Sequence, residues 1–159
     1  MSVINDKNIF GEVDSIDFAI YLNKKAQMLK KNINVTKIQK WLYICYGLNL
    51  ALEKKQLLYE RPRAWEYGPA FPRVHSLQKK HNNSLDNLKT EASLSDLTNY
   101  DEIITTTLNY FGNWTASELV AWTHEDGKAW NKAMLCNGIN TPLDNLDIQN
   151  DFLKIIVVE

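Results

Sequence analysis

Apolar residues recur with a helical period along most of the chain. Ile16, Phe18, Ala19, Ile20, Leu22, Ala26 and Leu29 share one broad face. Lys24, Lys25, Lys30 and Lys31 occupy the rest, and the last of these suit a helix C-terminus. Asp14, with Asp17 three residues on, predicts the cap of this helix. Residues 1–13 show no period and are expected to form a loose arm. Asn32–Asn34 predicts a turn, and Thr36 followed by Gln39 has the form of a capping box. The helix it opens is expected over about 37–54. Ile38, Trp41, Leu42, Ile44, Cys45, Leu48, Ala51 and Leu52, with Tyr43 and Tyr46, make it apolar on most sides, which predicts a central position.

Beyond it the pattern breaks. Glu60 to Phe71 holds Pro62, Gly68 and Pro69 and reads as a loop. Pro72 suits the first position of a helix running to about His81. Residues 82–93 are polar and predict a linker. Ile103, Ile104, Leu108 and Phe111 predict a helix from Leu97 or Thr98 to Phe111, stopped by Gly112. Thr115 and Glu118 form a second capping box, opening a short helix that ends at Thr123-His124-Glu125-Asp126-Gly127. Another short helix is expected from about Lys128, carrying Trp130 and Met134, before Gly138 and Pro142. For residues 148–158 a helix with a β-branched tail is expected. The sum is an all-α fold: one compact helical bundle of about six helices around the helix at 37–54.

Composition leaves this picture in place. At 159 residues, 45% hydrophobic and 23% charged, the chain fits a single self-sufficient domain spanning 1–159. No apolar run approaches the ~18 residues of a membrane span, and the N-terminus lacks the form of a secretory signal. A cytoplasmic protein is expected, with Cys45 and Cys136 as buried or half-buried thiols. Net charge is −1 but uneven. Residues 1–81 carry 14 Lys/Arg against 7 Asp/Glu (+7), and residues 82–159 carry 4 against 12 (−8). Either the halves neutralise each other, or the basic half meets a nucleic-acid or other acidic partner.

Candidate chemistry is sparse. His75, His81 and His124 have no partner at metal-ligand spacing, so no metal or cofactor is expected. His124-Glu125-Asp126 is the one cluster suited to a small hydrolase; its plainer reading is a histidine at a helix C-terminus before a solvated acidic turn. No nucleophile motif or phosphate-binding loop occurs. Lys37, Lys40, Trp41, Tyr43, Arg61, Arg63, Trp65, Tyr67 and Arg73 mix cations with aromatics, as a nucleic-acid-binding regulator would. The aromatics of 41–46 fit a core better. Of the five tryptophans, Trp41 and Trp122 are expected in the core, and Trp65 and Trp130 at or near a functional surface.

Three segments carry a resemblance. Lys37-Ile38-Gln39-Lys40-Trp41-Leu42-Tyr43-Ile44-Cys45-Tyr46-Gly47 resembles the K-x-Q-K-L-L-Y-Y-x-Q-G helix of the Panacea antitoxin domain, the family of SocA-like and phage-associated GepA-like proteins. Leu57-Leu58-Tyr59 and Ala64-Trp65-Glu66-Tyr67-Gly68-Pro69-Ala70 are similar to its P-L-F and A-W-x-Y-G-P-V segment. Tyr110-Phe111-Gly112, Ser117-Glu118-Leu119 and Thr123-His124-Glu125 through Ala129-Trp130 are similar to its third. Trp41 stands where the family has leucine and Ala70 where it has valine. Gly127-Lys128-Ala129 replaces a proline-containing approach to the tryptophan. The resemblance implies a non-enzymatic antitoxin that binds a cognate protein toxin encoded nearby. It extends to an adaptor for a Clp-type protease as a further partner; a homodimer is a further expectation that no motif here carries. Trp65, Glu66, Tyr67, Gly68, Pro69, Phe71, Arg73, Thr123, His124 and Trp130 are the residues expected to meet the toxin.

Overall fold

The computed structural model describes Gly11 and residues 13–156. It is an assembly of eight helices and one small hairpin: α1 (Ser15–Met28), α2 (Val35–Glu53), β1 (Arg63–Trp65), β2 (Gly68–Ala70), α3 (Pro72–Lys80), α4 (Leu94–Thr98), α5 (Asp101–Phe111), α6 (Ala116–Thr123), α7 (Ala129–Cys136) and α8 (Asn145–Ile155). The fold is mainly helical, as expected, and among the described residues it has one helix, α4, that the periodicity did not separate.

The central helix is as expected. Fifteen consecutive residues of α2, Lys37 to Ala51, are buried. α2 packs most extensively against α8 and also contacts α1, α3, α5, α6 and β2. Gly47 is where α8 comes closest: a Cβ there would sit 2.0 Å from the Phe152 ring, so only glycine admits this packing.

Several boundaries differ for local reasons. α2 is capped by Asn34, whose side chain accepts from Lys37 N at 2.8 Å, not by Thr36. Gln39 is turned into the core and is unavailable for a capping box. The expected helix to Phe111 is two helices. Ser93 caps α4 by accepting from Asp96 N, and α5 begins after Tyr100. The final helix starts at Asn145, capped by Asp144; of the expected β-branched tail, Ile155 is the last helical residue and Ile156 the C-cap, while Val157 and Val158 fall outside the described residues. Most of the expected loose arm does too, but Gly11 is buried and Val13 is fixed. Val13 N donates to Leu57 O at 3.2 Å and Tyr59 N donates to Val13 O at 2.9 Å. Cys45 is buried, whereas Cys136 is exposed, contrary to expectation. Desolvation pushes the Cys45 thiol up to about 12. The capping box at Thr115–Glu118 and the start of α3 at Pro72 are as read from the sequence.

Candidate functional site

The site begins with a polar triplet where a buried helix should be apolar. Lys37, Gln39 and Lys40 are 4%, 4% and 2% exposed. A buried polar group without a partner is costly, so each must find one. All three reach main-chain atoms of other segments. Lys37 Nζ donates to Gly112 O at 3.1 Å, fixing the α5–α6 turn, and lies 5.1 Å from the Trp41 ring. Gln39 Oε1 accepts from Phe71 N at 2.7 Å, and its Nε2 donates to Phe71 O and to Gln78 Oε1, each at 3.3 Å. Lys40 Nζ donates to Pro69 O at 3.0 Å. No carboxylate pairs with either ammonium among the described residues. Burial lowers the Lys40 pKa to about 8. Lys37 is lowered by burial first and then by Lys31.

The segment these residues hold is the hairpin, where a loop was expected. Arg63 pairs with Ala70, Ala64 with Pro69 and Trp65 with Gly68, leaving Glu66 and Tyr67 at the tip. Neither tip residue has positive φ; Gly68 carries it at +107°. A Cβ on Gly68 would also meet Thr123 Oγ1 at 2.7 Å and Lys40 Cε at 2.9 Å, so glycine is required twice over. The prolines that suggested a loop are accommodated: Pro69 has no N–H to give the ladder, and its carbonyl goes to Lys40.

Both hairpin edges are covered. On the β1 side, Ala64 N donates to Thr141 O at 2.8 Å, Asn140 N donates to Ala64 O at 2.7 Å, and Arg63 bridges Pro142. On the β2 side lies α2. No open edge remains here for a partner strand.

The tip is fixed by the end of α6. His124 Nδ1 lies 2.7 Å from Val120 O, and Nε2 lies 3.0 Å from Glu66 O. The imidazole therefore stands between the last turn of α6 and the hairpin tip, one ring nitrogen facing each carbonyl. Trp130 stacks on that ring with centroids 3.7 Å apart and donates Nε1–H to Trp65 O at 2.7 Å. The Trp65 indole donates to Asn140 Oδ1 at 3.0 Å and meets His75 edge-on at 5.1 Å. α7, which carries Trp130, has no cap of its own; Asp151 of α8 accepts from Ala129 N at 2.7 Å.

The structure therefore sorts the ten expected contact residues. Glu66 and Tyr67 are exposed, and Tyr67 keeps 68% of its surface. Trp65, His124 and Trp130 are half-buried beside them. Gly68, Pro69 and Thr123 are buried beneath, with a packing role. Phe71 is a correction. It is fully buried against Tyr46, with ring centroids 5.9 Å apart, and presents nothing to a partner. Arg73 is exposed but turned to Asp14, at 2.7 Å, and Glu60, at 3.9 Å. Trp41 is buried as expected, its Nε1 donating to Phe111 O at 3.2 Å; Trp122 is only half-buried.

His124, Glu125 and Asp126 do not converge. The imidazole faces the hairpin, while Glu125 pairs with Lys128 at 2.9 Å. Among the described residues no group of three or more His, Cys, Asp or Glu is placed to hold a metal ion. Lys37, Lys40, Trp41 and Tyr43 are buried and offer no surface to phosphates or bases. Reading by residue type missed the role of Lys37, Gln39 and Lys40. Their signal was three polar side chains inside a helix apolar all round.

The three resembling segments thus meet in one place. The sequence model for the antitoxin SocA-like family, Panacea domain, matches residues 38–131. The chain belongs to this family. It is an antitoxin-type domain, and the general class of partner is a toxin. No curated protein and no solved structure matches it. The Panacea match runs from the first turns of α2 into α7, leaving α1 and α8 outside. α8 nevertheless completes the core. No helix among the described residues is long and apolar enough to cross a membrane.

Proposed function

We propose that this Panacea domain neutralises one protein toxin by direct contact in the cytoplasm. The contact surface is the hairpin tip, Glu66 and Tyr67, flanked by Trp65, His124 and Trp130. One observation carries the reading. The family-specific residues hold a tip on which the Tyr67 side chain stands exposed, without a hydrogen bond among the described residues, while Lys40, Gln39, His124 and Trp130 fix the backbone beneath it. A large aromatic on a rigid support loses little entropy on binding, and tyrosine is enriched in binding hot spots. No bond is made or broken in this activity, so no residue is assigned a catalytic role.

Co-expression with the toxic protein encoded beside this chain tests the proposal. Wild type restores growth. Tyr67→Ala expresses to the same level and fails to restore it. Full rescue by the variant places the contact elsewhere.

A further inference from the structure

Among the described residues, direct ion pairs between the basic first half of the chain and the acidic second half are few. Among the described residues one ion pair joins the halves, Lys25 to Asp101 at 3.6 Å. The others lie within a half: Arg73 with Asp14 and Glu60, Lys128 with Glu125, and Lys132 with Asp147. Lys24 and Lys30 of the α1 segment and Lys79 and Lys80 of α3 have no carboxylate partner there. These helices pack against each other. Between them lies a groove of about 590 Å³ lined by Ile16, Arg73, Ser76, Leu77, Lys79 and Lys80. Its floor is apolar, from Ile16 and Leu77, and none of its lining is acidic. It shares Ile16, Arg73 and Leu77 with a neighbouring cavity of about 760 Å³ whose lining adds Asp14, Asp17, Glu91 and Asp96, so an acidic occupant is confined to the α3 side, along Lys79 and Lys80. No hairpin-tip residue lines either one.

We infer that this groove is a second docking surface, and that its occupant is an acidic amphipathic segment of a partner protein. Its apolar side chains meet Ile16 and Leu77, and its carboxylates meet Lys79 and Lys80. An amphipathic segment in an apolar groove is a recurring mode of protein recognition, and flanking lysines select the acidic ones. Nucleic acid fits less well. The groove has no aromatic side chain for bases to stack on, and phosphates make no use of an apolar floor. With Arg73 already held by Asp14 and Glu60, Lys79 and Lys80 supply the free charge.

The test uses the full chain and a fluorescein-labelled peptide of about 16 residues, with leucines at helical spacing and glutamates elsewhere. Fluorescence anisotropy is the readout. Wild type binds the peptide. K79E/K80E, both exposed positions, weakens binding at least about tenfold, as loss of two opposed charges requires. Leu77→Gln weakens it as well, and a control peptide with serines for leucines does not bind. Tyr67→Ala binds as wild type does, which separates this surface from the hairpin tip. Equal binding by K79E/K80E overturns the inference. So does tighter binding of duplex DNA than of the peptide, or a dimer of this chain that K79E/K80E dissolves.

Discussion

Lys40 is an ammonium buried with one carbonyl partner and no counter-ion among the described residues, and its energetic effect can be worked out. Its pKa falls from 10.5 to about 8, through burial. At roughly 1.4 kcal/mol per tenfold change in proton affinity, that drop disfavours the folded state by about 3 kcal/mol when lysine is charged in both states. The sign follows from linkage. Between pH 8 and 10.5 the unfolded chain holds the proton and the folded chain does not, so stability rises with pH in that window. The penalty is complete below about pH 8 and gone above 10.5. Lys40→Met removes it but leaves the Pro69 carbonyl without a donor, which costs about 1–3 kcal/mol. At pH 7 the variant is therefore as stable as wild type or somewhat more so, by up to about 2 kcal/mol. From pH 7 to pH 9 wild type gains about 1 kcal/mol on the variant. Cys45, Tyr43 and Tyr46, whose pKa values burial raises, act in the opposite direction at higher pH, but they are common to both proteins and cancel in the difference. Urea unfolding followed by tryptophan fluorescence at the two pH values measures this. If the two stabilities move in parallel, Lys40 does not carry a buried charge and the reasoning fails. Toxin neutralisation should still be weaker in Lys40→Met, because the ammonium fixes β2.

Gly47→Ala gains up to about 1 kcal/mol of helix propensity but drives a methyl into the Phe152 ring, a clash that costs about 1–3 kcal/mol; a lowered Tm is expected, restored in part by Phe152→Leu. Gln39→Leu leaves the buried N–H of Phe71 without a partner, while the Phe71 carbonyl keeps the bond from His75 N at 3.1 Å, and urea unfolding should show a loss of about 1–3 kcal/mol. Trp65→Ala removes a half-buried indole that also orders Asn140 and rests on His75. Calorimetry should show a loss of about 2–3 kcal/mol alongside weaker toxin binding, so this variant reports fold and contact together.

The helical scaffold was legible because its signals are local. A helix apolar on every side can only be central, and α2 is. Thr115–Glu118 satisfies both halves of a capping box within four residues, and Pro72 suits a first helical turn wherever it sits. What escaped depended on distant partners. Gln39 could not be distinguished from a capping residue until Phe71, 32 positions away, was seen to need it. The hairpin was hidden because Pro69 and Gly68 are loop signals in isolation; they become a strand only with Lys40 taking the Pro69 carbonyl and 140–142 lying along β1. Phe71 looked like a surface aromatic by its place among prolines, whereas its ring fills the core beside Tyr46. The site itself was visible as motif and order along the chain. Which motif residues face outward was not, because holding the hairpin and presenting it use the same residue types.

Titration calorimetry of the toxin encoded beside this chain with purified Tyr67→Ala, paired with a thermal melt of the variant, tests the hairpin tip most directly. An exposed side chain without a hydrogen bond should leave Tm within about 2 °C of wild type. Loss of a hot spot worth about 2 kcal/mol should weaken affinity about thirtyfold. Unchanged affinity in a folded variant would contradict the assignment of the Glu66–Tyr67 tip as the toxin contact.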